Sequence, residues 1–178
     1  MNFAQTVFNF PQQMDDALKG IRKRWFEYFQ VFCHGSAVCD TEFHELVCTQ
    51  YENNIEPDLE LMGYPRGEKP ISYRVTWLDK KYIYFPVNHL GKHWILLVVH
   101  IEDRHIKVYD NIGTHGISDP ELDVLMVSYI HMIPKMLHRT LPLPPAALEL
   151  YTADFSFERV QSTSNKKVWI LIYLIRFI

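Results

Sequence analysis

At 178 residues the chain has the length of one domain, enough to bury roughly 70% of the surface its unfolded form exposes. Its 48% apolar residues, 22% charged residues and formal charge of -3 exclude a global basic field for phosphate backbones, so no nucleic-acid partner is expected. The longest apolar run, Val168-Trp-Ile-Leu-Ile-Tyr-Leu-Ile175, falls well short of the ~20 residues of a membrane span, so no membrane partner is expected either.

Asp15 and Asp16 lie close to the start, with no Lys or Arg before Lys19, which speaks against a secretory or transit leader. An intracellular setting, nucleus or cytoplasm, is expected. Met14, Leu18, Ile21 and Trp25 recur at helical spacing, acidic residues first and Lys19, Arg22, Lys23 and Arg24 after them, which predicts an amphipathic helix. Cys33, Cys39 and Cys48 fall within sixteen residues of each other, an odd number that suits free thiols better than a disulfide framework. Asp40-Thr41 suits a cap for a second helix, with Phe43, Leu46, Val47 and Tyr51 on its apolar face and an end at Asn53-Asn54 and Pro57. The Gly/Pro-rich stretch Met62-Gly-Tyr-Pro-Arg-Gly-Glu-Lys-Pro70 reads as a surface loop between a helical part, about 1–60, and a sheet part, about 75–178.

Strands are expected around Tyr82–Val87, Trp94–Ile101 and His105–Tyr109, the middle one apolar enough to be buried on both faces. Ser118-Asp119-Pro120-Glu121 has a capping-box spacing and a proline suited to a first turn, so a helix should run to about Ile133 or Leu137. Leu141-Pro-Leu-Pro-Pro145 forces an extended crossing. Phe155–Val160 alternates as a strand should, and a polar loop, 161–167, precedes the last apolar run. Helices, then strands, then a helix returning against them describe one α+β domain over 1–178.

The chemistry gathers in Tyr82-Ile-Tyr-Phe-Pro-Val-Asn-His-Leu-Gly-Lys-His-Trp-Ile-Leu-Leu-Val-Val-His-Ile101 and in the strand after it, Arg104-His-Ile-Lys-Val-Tyr-Asp-Asn111. Two adjacent strands joined by a turn at Glu102-Asp103 would hold His93 and Asp110 side by side. An imidazole oriented by a carboxylate is the base half of a nucleophilic site.

Tyr84-Phe-Pro-Val-Asn88, His93-Trp-Ile-Leu-Leu-Val-Val99, Val108-Tyr-Asp110 and Val160-Gln-Ser-Thr-Ser-Asn165 together resemble the ubiquitin-like-protein-specific proteases, the cysteine peptidases that cut SUMO and related modifiers, especially the plant-type members. The resemblance implies a papain-like α+β fold, a central mixed sheet with flanking helices, that this chain would leave before its C-terminal end, and a deSUMOylating or modifier-processing thiol protease. It implies His93 as base, Asp110 as its orienting acid, Gln161 as oxyanion donor and Trp94 as part of a narrow channel gripping a diglycine tail. SUMO or another ubiquitin-like modifier is the implied partner, with no cofactor and no metal. In this family a Cys within an Asp-Cys-Gly turn follows the Gln by six residues. Here those positions read Lys166-Lys167-Val168, so Lys167 stands where the nucleophile belongs. An ammonium cannot replace a thiolate at a helix start. The expected outcome is a protease scaffold without hydrolysis, either a modifier-binding pseudoenzyme or a decayed fragment.

Two other readings compete. Cys33, Cys39 or Cys48 followed by His93 and Asp110 repeats the papain chain order, but Val38-Cys39-Asp40 has no Gly-rich turn and Cys48 falls on a helix face. Cys33, His34, Cys39, His44 and Cys48 crowd like metal ligands, yet without paired Cys-x2-Cys spacing. Each retained site residue also has a plain alternative: His93 as a polar strand cap, Asp110 as an Asx-turn residue, Gln161 as a solvated loop residue and Trp94 as a rim aromatic.

Overall fold

The computed structural model describes residues 35–69, 75–91, 93–110, 116–140 and 154–160. The expected helix over Met14–Trp25, Cys33 and His34, the crossing at Leu141–Pro145, Gln161, the Lys166-Lys167-Val168 positions and the last apolar run lie outside them. Among the described residues, five strands form one mixed sheet in the order β1 to β5: β1 (Ser36–Val38), β2 (Tyr82–His89), β3 (His93–His100), β4 (His105–Asp110) and β5 (Ser156–Val160). The central three make an antiparallel meander, while β1 joins β2 and β5 joins β4 in parallel. Three described helices accompany the sheet: α1 (Glu42–Glu52), α2 (Leu59–Arg66) and α3 (Asp119–Thr140). This is the expected α+β class.

Period-two alternation fixes which face each strand residue takes. Ile83, Phe85 and Val87 of β2, Ile95, Leu97 and Val99 of β3, and Ile106 and Val108 of β4 are all buried in one core. That core takes in Phe43 and Val47 of α1, Leu61, Met62 and Tyr64 of α2, and Met126, Tyr129, Ile133 and Leu137 of α3. Phe43 is its aromatic centre, with ring centroids 4.5 Å from Phe85 and 4.9 Å from Tyr64. The other face of β3 is also buried, at Leu96 and Val98, with Tyr84, Trp94 and Tyr109 packed against them. The apolar run of β3 is thus covered on both sides, as its composition requires.

The stretch expected as a loop at 62–70 is instead largely helical. Asp58 accepts a hydrogen bond from Leu61 N at 2.9 Å, and Gly67 closes α2 with φ 76°. A Cβ on Gly67 would also meet Thr76 N at 2.6 Å, so both backbone conformation and space demand glycine. Pro65 falls in the last turn, where its missing N–H costs one helical bond, and its carbonyl accepts from Trp77 N at 3.0 Å. Burial of Leu61, Met62 and Tyr64 outweighs the weak local propensity.

At α1 the side-chain cap is Asp40, which accepts from Phe43 N at 3.3 Å and from the Tyr64 hydroxyl at 2.6 Å; Thr41 makes no side-chain cap bond. Ser118 and Glu121 form the capping interaction before α3, with Ser118 N and Oγ both donating to Glu121 Oε2. α3 runs past the expected end to Thr140, through Pro134. The buried face continues across the proline in Met132, Ile133, Met136 and Leu137. Residues 36–38, for which no strand was expected, pair with Tyr82–Tyr84 as β1.

Candidate functional site

The register of the meander builds the site. Ile95 pairs with Asp110, so His93 lies two positions beyond that partner on the same face of the sheet. His93 Nε2 and Asp110 Oδ1 are 2.7 Å apart, and both residues are buried, at 7% and 3% exposure. A carboxylate can only accept, so the proton of the neutral ring sits on Nε2 and Nδ1 presents its lone pair away from Asp110. The hairpin that delivers His93 turns through Leu90 and Gly91, both at positive φ, and His89 pairs across it with His93.

Two further residues complete the seat of the imidazole, and neither stood out in the sequence. The first is Gly116. A Cβ there would lie 2.3 Å from His93 Nε2, so this glycine is needed for space. The second is Arg159, two residues before Gln161. Its Nη1 donates to Asp110 Oδ2 at 2.7 Å, and its Nη2 donates to the Ile117 carbonyl at 2.7 Å and approaches Asp119 Oδ1 at 3.2 Å. Strand parity was the available signal for Arg159. It shares the face of Phe157 and is paired with Val108, whereas Ser156 and Glu158 point outward. Asp110 therefore uses both oxygens, one on the imidazole and one on the guanidinium, an arrangement suited to a buried carboxylate.

Trp94 is half-buried on the opposite face from His93, packed with Leu96 and Val98. Gln161 and Lys167 lie outside the described residues, so His93 and Asp110 are the two expected site residues that the structure brings together.

The described cysteines have a different environment. Cys39 is buried, and burial followed by the charge of Asp40 pushes its thiol well up. Cys48 is half-buried, and burial raises its thiol despite a 3.4 Å contact with Ser128 Oγ. Its Sγ lies 3.5 Å from His44 Nδ1, itself 3.0 Å from the Tyr129 hydroxyl, and burial holds His44 below the ordinary imidazole value. Raised thiol and lowered imidazole favour the neutral pair, the reverse of an activated thiolate. Among the described residues no group of three or more His, Cys, Asp or Glu is placed to hold a metal ion.

Comparison with known proteins adds to this geometry. The sequence model of the Ulp1 protease family, C-terminal catalytic domain, matches residues 37–162, a span that contains His93, Asp110, Gly116, Arg159 and Gln161. No curated protein matches the chain. Among similar solved structures is a SUMO protease Ulp1 with its catalytic cysteine oxidised to a sulfenic acid, 12% identical, with a TM-score of 0.54 over 87% of this chain and 63% of that one. Another is a SUMO protease Ulp1 with that cysteine oxidised to a sulfonic acid, 13% identical, with a TM-score of 0.49 over 88% of this chain and 62% of that one. The chain thus spans a little under two thirds of those structures, and at such identity the first likeness bears on the fold.

Proposed function

This chain belongs to the Ulp1 protease family, and we propose that it is a SUMO-type modifier-recognising domain built on a cysteine-peptidase site whose hydrolytic step is lost at Lys167. The buried 2.7 Å contact between His93 Nε2 and Asp110 Oδ1 carries this reading. In a working site of this design, Nδ1 of His93 takes the thiol proton and the thiolate attacks the carbonyl of the modifier's terminal glycine. The amine of the cleaved bond then leaves with that proton, and water releases the acyl group. Asp110 keeps the imidazole in the useful tautomer, and Gln161 donates to the developing oxyanion. With lysine at the nucleophile position no acyl intermediate forms, whatever the state of the other groups. Binding needs no nucleophile. Trp94, next to His93 in the chain but half-buried on the other face of the sheet, supplies a flat surface suited to an extended diglycine tail.

The same reading treats 1–178 as one domain of plant type, intracellular in the nucleus or cytoplasm, in keeping with free thiols at Cys39 and Cys48. The formal charge of -3 favours a protein partner over nucleic acid. None of the described helices is long and apolar enough to cross a membrane.

The test pairs two probes: SUMO bearing a C-terminal electrophile, and unmodified SUMO followed by calorimetry. Binding without covalent capture is the expected result. Capture would mean that Cys33, Cys39 or Cys48 is a nucleophile and would overturn the proposed loss of hydrolysis. Neither binding nor capture from folded protein would overturn modifier recognition.

A further inference from the structure

We infer that Arg159 is a positioning residue for the imidazole of His93, acting on both walls of its seat at once. One wall is the carboxylate of Asp110, whose Oδ2 accepts from Arg159 Nη1 at 2.7 Å while Oδ1 faces His93 Nε2 at 2.7 Å. Pinning one oxygen fixes the rotation of the carboxylate and therefore the direction in which the other oxygen meets the ring. The second wall is the backbone at Gly116, which lies so close to His93 that no Cβ could be accommodated there. Arg159 Nη2 donates at 2.7 Å to the carbonyl of the next residue, Ile117. A single guanidinium therefore ties the acid and the backing peptide into one unit.

The fold explains how a residue so far along the chain reaches both. Parallel pairing of β4 and β5 sets Arg159 opposite Val108, on the face that Val108 shares with Asp110. The side chain extends forward by one repeat to the end of β4 and the start of α3, where Asp119 Oδ1 lies 3.2 Å from Nη2. The Asp110 side chain is fully buried and that of Arg159 is 15% exposed, so the pair is shielded from solvent. Serving acceptors in different directions from one planar group requires the fork of arginine. The ammonium of lysine keeps the charge and loses the geometry.

The test reads the ring nitrogens of His93 in protein labelled with 15N-histidine. In the pH range where the two ring-nitrogen shifts themselves show a neutral imidazole, the ratio of the two tautomers reports how well Asp110 is aimed. The His93 signals are assigned by their loss in His93→Gln. In the parent the Nε2-protonated tautomer should dominate. Both Arg159→Lys and Arg159→Met should lower that tautomer ratio by about tenfold, the effect of losing one well-aimed hydrogen bond to a charged group. An unchanged ratio in folded Arg159→Lys or Arg159→Met, even with a lowered melting temperature, would reduce Arg159 to a structural tie and overturn the inference. Arg159→Lys retains the buried positive charge and so decides the matter if Arg159→Met does not fold. No modifier enters this measurement. Failure to bind SUMO leaves the inference standing, and an unchanged tautomer ratio leaves modifier recognition standing.

Discussion

Substituting Gly116 by alanine is a sharp steric perturbation of the site. The new Cβ would lie 2.3 Å from His93 Nε2 and 2.7 Å from both Cδ2 and Cε1, about an ångström inside ordinary contact. The backbone cannot readily give way, because Ile117 is buried and its carbonyl is held by Arg159. The ring must therefore move, and a shift of about an ångström is enough to break a bond that starts at 2.7 Å. Losing a hydrogen bond to a charged group costs about 1.5–3 kcal/mol, and overpacking adds about 1–3 kcal/mol. We expect Gly116→Ala to lower unfolding stability by about 3 kcal/mol in urea titrations followed by circular dichroism, with the His93 ring resonances displaced. Gly63→Ala is the control. Its Cβ would meet Lys69 Cγ at an ordinary 3.4 Å within α2, so it should be neutral or stabilising by up to about 1 kcal/mol. A Gly116→Ala protein within about 0.5 kcal/mol of the parent, with unmoved His93 signals, would refute the close-packed seat.

Further expectations concern the cap, the thiols and the missing nucleophile. Burial opposes ionisation of Asp58, but its bonds from Leu61 N and neighbouring groups prevail and its carboxyl lies below the usual range. The stability it contributes is present above the ordinary carboxylate range and is lost as pH falls through its lowered value. Asp58→Ala should cost about 1 kcal/mol at neutral pH and show a shallower loss of stability in acid, and equal acid limbs would contradict the assignment. Cys39 and Cys48 should react with iodoacetamide at pH 7 more slowly than a free thiol, because burial raises both thiols and so lowers the share of reactive thiolate. Fast labelling of the folded protein at either site would revive the alternative nucleophile. Lys167→Cys combined with Lys166→Asp and a glycine inserted before Val168 should gain cleavage of a SUMO precursor that the parent lacks. Absence of cleavage in the well-folded variant would count against a surviving base and acid.

The parts of this fold legible in the sequence are those where one physical signal dominates. Alternation in Tyr82–Val87 and the apolar density of Trp94–Val99 fix the meander, and the same parity brings His93 and Asp110 to one face. α2 was obscured because Gly63, Pro65, Gly67 and Pro70 suggest punctuation, although Asp58 and Gly67 are a legitimate start and stop. β1 is three residues long, too short to show any period. Arg159 was hidden because a charged residue in an edge strand reads as solvent-facing. Strand parity sets it on the face of Phe157, and the pairing with Val108 turns that face inward. Gly116 was hidden for another reason: the need for an absent Cβ depends on a neighbour 23 positions away in the chain.

The two parallel strands at the rims of the sheet have a consequence for the order of events in folding. The meander joins near neighbours in sequence and closes small loops. β5 pairs with β4 only after a crossover that includes the 22 residues of α3. The rims should therefore be acquired late and opened early, and β5 amides should lose protection against hydrogen exchange before those of β3. Asp110 thus waits, on a strand already formed, for an arginine that arrives nearly 50 residues later. A well-seated His93 is in this sense a certificate of completed folding, issued only when the last described strand has docked.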